Sequence, residues 1–137
     1  MSAFVTKKNR EQVAQRAEFR CEYCLMPEKF SLFSFHIDHI RSIKHGGSNS
    51  LQNLAYSCGF CNGNKGTDLG TFLDDDETLV RFFNPRKDIW QEHFEIIEGA
   101  IHERSSIGKA TIKIFRFNDV ERVLERKLLL SGGFIHP

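Results

Sequence analysis

Two Cys-x-x-Cys pairs, Cys21/Cys24 and Cys58/Cys61, stand on either side of His36-Ile-Asp38-His39-Ile40, and Asn62-Gly-Asn-Lys65-Gly follows the second pair directly. No other feature constrains the fold as tightly. Four thiolates at paired spacing suit a closed tetrahedral zinc site, and such a site pins two distant segments together. The stretch between the pairs, residues 25–57, is longer than zinc ribbons commonly allow. The excess is room for a strand and a loop. An acid, a histidine, an asparagine and a lysine are thereby brought toward one place.

The other common use of four cysteines is a pair of disulfides. The chain begins Met-Ser-Ala-Phe-Val-Thr-Lys-Lys, without a signal-peptide hydrophobic region, and no run approaches the roughly 18 apolar residues of a membrane span. The expectation is a cytoplasmic protein in a reducing compartment, with its thiolates on zinc. A length of 137 residues with 13 Phe suffices for one modest core. Charge is uneven, with nine Lys/Arg against five Asp/Glu over residues 1–67 (+4) and ten against thirteen over residues 68–137 (−3). A basic front half suits a polyanion held through its phosphates. Two solvated faces of opposite sign would give the same distribution.

Thr6 is placed to cap a helix over about Lys7 to Ala17, with Val13, Ala14 and Ala17 as its apolar stripe. Cys21 to Cys24 reads as a tight knuckle, with Pro27 barring a helix after it. Phe30 to Ile40 reads as extended, Lys44 to Ser50 as a loop, and Leu51 to Tyr56 as a short strand or turn. A short helix is expected from about Cys61, with Gly63 and Gly66 allowing close backbone approach. Beyond residue 67, Asp74 to Glu77 suits a solvated turn or a helix start, and Asn84-Pro-Arg86 a turn. Asp88 would cap a short helix holding Trp90 and Phe94. Glu95 to Glu98 and Ala100 to Glu103 suit a hairpin turning at Gly99. Ser106 would cap a helix over Ile107 to Phe115. Asn118 or Asp119 would cap another from Val120 to about Leu130, with Val120, Val123, Leu124 and Leu128 on one face. The tail after Ser131 is expected to fray.

Phosphodiester hydrolysis needs a base to activate water, a cation to meet the developing charge, and help for the leaving oxygen. His39, with a reference pKa of about 6.5, is the natural base. Asp38 is a hard oxygen ligand suited to Mg²⁺ or Mn²⁺, and Asn62 offers a neutral oxygen. Lys65, about one helical turn beyond Asn62, is placed to meet a phosphate. Adjacent strand residues point to opposite faces, so Asp38 and His39 can share a site only where a strand ends or bends. His36 lies on the Asp38 side of such a strand, either as a further ligand or as a hydrogen-bonding residue within the fold. His45 in the Gly-Gly loop is placed either to touch DNA or, as the simpler expectation, to face solvent, and Arg41 and Lys44 are candidate phosphate contacts.

The order Cys-x-x-Cys, Asp-His-Ile, Gly-Gly, Asn-Leu, Cys-x-x-Cys-Asn and Lys-Gly resembles the HNH endonuclease family in its four-cysteine, ββα-metal form, over about residues 10–67. The resemblance implies an α+β fold with a small ββα-metal (His-Me finger) core, a structural zinc on Cys21, Cys24, Cys58 and Cys61, and a catalytic Mg²⁺ or Mn²⁺. It implies a DNA endonuclease acting on duplex or nicked DNA with low sequence specificity. His39 matches the general base. Asn53 matches the middle asparagine, which holds the loop and orients that histidine. Asp38 matches the acidic cation ligand, and Asn62 the third position, often histidine. Asn62 in place of a nitrogen ligand favours the harder cations. A proline common shortly after Asp-His-Ile is absent from Ile40-Arg-Ser-Ile-Lys, so this loop is expected to be less rigid. The rival expectation is a non-catalytic, zinc-stabilised DNA- or partner-binding module.

Residues 68–137 carry no catalytic constellation and loosely resemble an extension of some bacterial stand-alone HNH proteins. They are expected to form a C-terminal α/β extension packed on the nuclease core of residues 1–67, within the same globular unit. Phe82, Phe83, Trp90, Phe94 and Phe115 are expected to cover that core. Interleaved Arg81, Arg86 and Lys87 leave open a nucleic-acid or partner surface.

Overall fold

A computed structural model describes residues 4–74 and 77–136. The first three residues of the N-terminal run, Asp75 and Asp76 of the acidic run, and Pro137 lie outside the described residues. The chain mixes helices and strands and divides into two compact units, Met1–Asp68 and Leu69–Pro137.

In the first unit, helix α1 (Lys7–Arg16) starts where Thr6 accepts a hydrogen bond from the Asn9 amide, and it buries Val13 and Ala14. Strands β1 (His36–His39) and β2 (Leu54–Ser57) pair antiparallel, with His36 opposite Ser57 and His39 opposite Leu54. Helix α2 (Gly59–Lys65) follows at once, with Cys58 as its N-cap. The Arg16 guanidinium donates to the Leu54 carbonyl and ties α1 to β2. All four residues of β2 are buried, which makes it the spine of this unit.

The extended reading of Phe30 to Ile40 holds only for its last third. Pro27 leads into a 3-10 turn at Glu28–Phe30, and Leu32 and Phe33 stand 95% and 79% exposed. The partner strand is four residues long, bounded by a 3-10 turn at Leu51–Asn53 and by Cys58, so it has nothing to offer earlier residues. Gly63 and Gly66 also depart from expectation. A Cβ at either would meet nothing within 4 Å, and Gly66, at φ +52°, closes α2 rather than opening it.

Among its described residues, the second unit holds two hairpins and three helices. Strands β3 (Gly70–Phe72) and β4 (Leu79–Arg81) pair antiparallel, as do β5 (Phe94–Ile97) and β6 (Ala100–Glu103). Glu98 and Gly99 turn the second hairpin with φ of +51° and +88°, the two-residue geometry that suits strand twist. Phe82, Phe83, Trp90, Phe94 and Phe115 pack with Phe117 and Ile101 into an aromatic core of this unit's own. Within it, Trp90 and Phe94 lie with ring centroids 4.9 Å apart.

Two helix caps are corrected. Asp88 does not cap α3 (Trp90–His93); it accepts from the Arg81 guanidinium and the Asn84 amide. Helix α4 (Ser106–Phe115) is capped by Ser105, not Ser106. Asp119 holds the cap position of α5 (Val120–Ser131), as expected, but its carboxylate pairs with Arg116 rather than with the helix amides. In α5 the apolar periodicity misleads: Val120, Leu124 and Leu128 are 75%, 57% and 74% exposed, while Arg126 is fully buried. Arg126 faces inward because two buried carbonyls, of Gly99 and Phe117, need a donor, and its guanidinium supplies both bonds at 2.5 and 2.9 Å. The tail does not fray at once, since the Phe134 amide bonds Leu129 and Ile135 is 2% exposed.

Candidate active site and metal centre

The first cysteine pair sits on a knuckle. Leu25 takes a left-handed φ of +70°, its amide bonds the Cys21 carbonyl, and the Cys24 amide points at Cys21 Sγ at 3.5 Å. The second pair sits at a helix start, where the Cys61 amide donates to Cys58 Sγ at 3.4 Å. A helix N-terminus favours thiolates. The four buried cysteines bring their ligand atoms within 4.8 Å of one another, and Cys24 Sγ lies 3.7 Å from Cys58 Sγ. A tetrahedral Zn²⁺ with Zn–S bonds of about 2.3 Å has edges of about 3.8 Å. Without a cation, burial pushes the Cys21 and Cys61 thiols well up, and the neighbouring sulfurs add to this. Four sulfurs in a space that disfavours negative charge fit a divalent soft-metal site.

Beside this clamp, β1 carries Asp38 into the interior at 3% exposure. Tyr23, inside the first knuckle, donates its hydroxyl to Asp38 Oδ2 at 2.6 Å. Lys65, at the end of α2, places its ammonium 3.2 Å from Asp38 Oδ1 and 2.9 Å from the His39 carbonyl. Burial raises the Asp38 pKa; Lys65, the Tyr23 hydrogen bond and nearby His39 pull it back. Burial, and then the Asp38 charge, push Tyr23 well up, so it remains a donor. The cysteine knuckle, the strand and α2 thus meet on one carboxylate.

His39 closes β1 half-buried, with Nε2 2.7 Å from Asn49 Oδ1. The Asn49 amide nitrogen in turn donates to the Phe4 carbonyl at 2.9 Å. The loop from residue 40 to 53 is laced by Asn53, whose Oδ1 accepts from the Arg41 amide and whose Nδ2 donates to the Arg41 and Ser48 carbonyls. Gly47 lets this happen, because a Cβ there would fall 1.7 Å from the Arg41 oxygen.

Residues 21–68 match the model of the HNH endonuclease family. The match is confined to this segment. Its four cysteines fit the zinc type of that family. An HNH domain is associated with nuclease or nucleic-acid-binding function, and a zinc site is compatible with either. No curated protein and no solved structure matches the chain. No helix among the described residues is long and apolar enough to cross a membrane.

Within the matched segment, one expected residue stands elsewhere. Lys65 is not a phosphate contact: it is 2% exposed and its ammonium is engaged by Asp38 and the His39 carbonyl. It lies on the face of α2 turned toward β1, and helical spacing by itself does not say which face that is. Asn62 is half-buried one turn earlier, and its side chain makes no hydrogen bond among the described residues. Arg41 and Lys44 are exposed, although Arg41 Nε also donates to the His45 carbonyl at 2.6 Å. His36 is exposed and lies against the start of α2, its Nε2 3.5 Å from where a Gly59 Cβ would stand. Missing the proline does not leave the loop without restraint, since Asn53 holds both of its ends.

Tyr23 and Asn49 were not singled out by the sequence. An aromatic residue between two zinc cysteines gives no hint of its hydroxyl's partner, and Asn49 reads as an ordinary loop residue.

Proposed function

We propose that the HNH domain is a metal-dependent endonuclease hydrolysing DNA phosphodiester bonds, with β1, β2 and α2 as a ββα-metal core. The observation that carries this reading is the pairing of a buried carboxylate with a half-buried histidine one residue on. His39 takes the proton of the attacking water. Asp38 and Asn62 hold one divalent cation, Mg²⁺ or Mn²⁺. Each Asp38 oxygen accepts one hydrogen bond, which leaves lone pairs on both. One carboxylate, one amide oxygen and waters form the sparse hard set that Mg²⁺ accepts when substrate phosphate completes its shell. That cation, when bound, supplies charge neutralisation at the scissile phosphate and the leaving oxygen. Lys65 and Tyr23 fix the Asp38 carboxylate in position. Arg41 and Lys44 meet backbone phosphates, which implies salt-sensitive binding with little sequence preference. Structural zinc holds the knuckle, and with it Tyr23, against α2.

Plasmid nicking by the zinc-loaded protein in Mg²⁺ or Mn²⁺ tests the reading. Cleavage by wild type, with loss of about 10²–10⁴-fold in His39→Ala, is expected. Equal cleavage by both proteins would exclude the mechanism. Binding without cleavage under every cation would leave the zinc-stabilised binding module as the correct description.

A further inference from the structure

We infer that Asn49 is the positioning residue for His39, selecting the imidazole tautomer through the backbone carbonyl of Phe4. The role assigned to that tautomer rests on the nuclease reading above; the tautomer itself does not.

A backbone carbonyl can only accept. The Asn49 side chain lies 2.9 Å from the Phe4 oxygen, so its NH₂ must face that oxygen, and its own oxygen must face His39. The contact at 2.7 Å from Asn49 Oδ1 to His39 Nε2 then requires a proton on Nε2. A neutral imidazole has one N–H, so Nδ1 is left with its lone pair. A base that removes a proton from water needs such a nitrogen. The relay Phe4 C=O, Asn49, His39 therefore presents the imidazole in the accepting form at Nδ1. Phe4 comes just before Val5, which is 3% exposed, and Thr6, which caps α1, so the chain that supplies the carbonyl is anchored. Asn53, by contrast, spends its whole side chain on the loop backbone.

The test is ¹⁵N–¹H correlation of the His39 ring in zinc-loaded protein without Mg²⁺ or Mn²⁺, at a pH where the imidazole is neutral. Wild type is expected to show Nε2 protonated and Nδ1 bare. Asn49→Ala is expected to give a mixture of tautomers, and Asn49→Asp, which keeps an acceptor, to restore the single form. A protonated Nδ1 in wild type, or an unchanged ring in Asn49→Ala, would overturn the inference. Zinc content and the amide spectrum establish that each variant is folded, and Asn49→Asp decides the matter if Asn49→Ala is not. In nicking assays Asn49→Ala should lower kcat by about 10–100-fold with KM little changed, and Asn49→Asp should recover most of it. A correct tautomer in a protein that cleaves nothing would sink the nuclease reading and leave the relay standing.

Discussion

The Lys65 ammonium lies 3.2 Å from Asp38 Oδ1 with both side chains 3% exposed, a buried ion pair linking the end of α2 to the middle of β1. Burying two charges costs several kcal/mol each, and their attraction repays it only when other hydrogen bonds complete the site. Tyr23 and the His39 carbonyl provide those bonds. Removing one member leaves the other charged and uncompensated. Lys65→Met should therefore cost about 3–5 kcal/mol of unfolding free energy in urea. The double variant Asp38→Asn/Lys65→Met should lose less than the two single changes added together. Additive losses would show that the pair is not coupled.

Zinc binding should weaken as pH falls. Coordination needs thiolates, and burial raises the Cys21 and Cys61 thiols in the metal-free site, so protons compete with the cation more strongly there than at exposed cysteines. Competition titrations with a chromophoric chelator should show affinity rising with pH. Stripping zinc should abolish the circular dichroism change expected of a folded Met1–Asp68 unit. A pH-independent affinity would exclude four-thiolate coordination.

Gly47→Ala should disable the loop. Its Cβ would fall 1.7 Å from the Arg41 carbonyl and 2.8 Å from Asn53 Nδ2, both fixed by hydrogen bonds. A cost of about 1–3 kcal/mol is expected, by analogy with overpacked cores. Asn53→Ala, which removes three bonds, should fall in the same range. Nicking by either variant should drop and DNA affinity should weaken with it, because Arg41 and Lys44 sit on this loop. A melting temperature unchanged from wild type in Gly47→Ala would refute this account of the loop.

In the second unit, Asp88 is held below the usual carboxylate range, chiefly by hydrogen bonds from Arg81 and helped by the Asn84 amide. A depressed folded-state pKa means the stabilisation is complete above the unfolded value, near pH 4, and is lost as pH falls through the folded value. The Arg81 side chain is 52% exposed, so solvent screening keeps the contribution below about 1 kcal/mol. Asp88→Asn should lower stability by that amount at pH 7 and flatten its dependence below pH 4. An unchanged acid limb in the variant would remove Asp88 from the account.

The most legible parts of this chain were the local ones. Thr6, the Glu98-Gly99 turn and the cysteine pairs each act within a few residues, so their spacing alone predicts the element formed. The misreadings were of direction. Val120, Leu124 and Leu128 line up along α5, yet the helix turns Arg126 inward, because buried carbonyls on other elements had to be met. The Phe30 to Ser34 stretch has strand-like alternation but, among the described residues, no partner strand to pair with. The sequence shows that Lys65 is one turn from Asn62, which suits a phosphate contact, but not what that turn faces.

The sequence by itself pointed to the four-cysteine cluster and to the HNH match over residues 21–68, since both are patterns of residue type and order. Tertiary structure alone decided that Lys65 neutralises Asp38, that Tyr23 joins them, and that Asn49 meets His39. Each of those contacts joins elements 10 to 27 residues apart along the chain. Hydrogen bonds act over about 3 Å, and only packing sets which distant groups come that close.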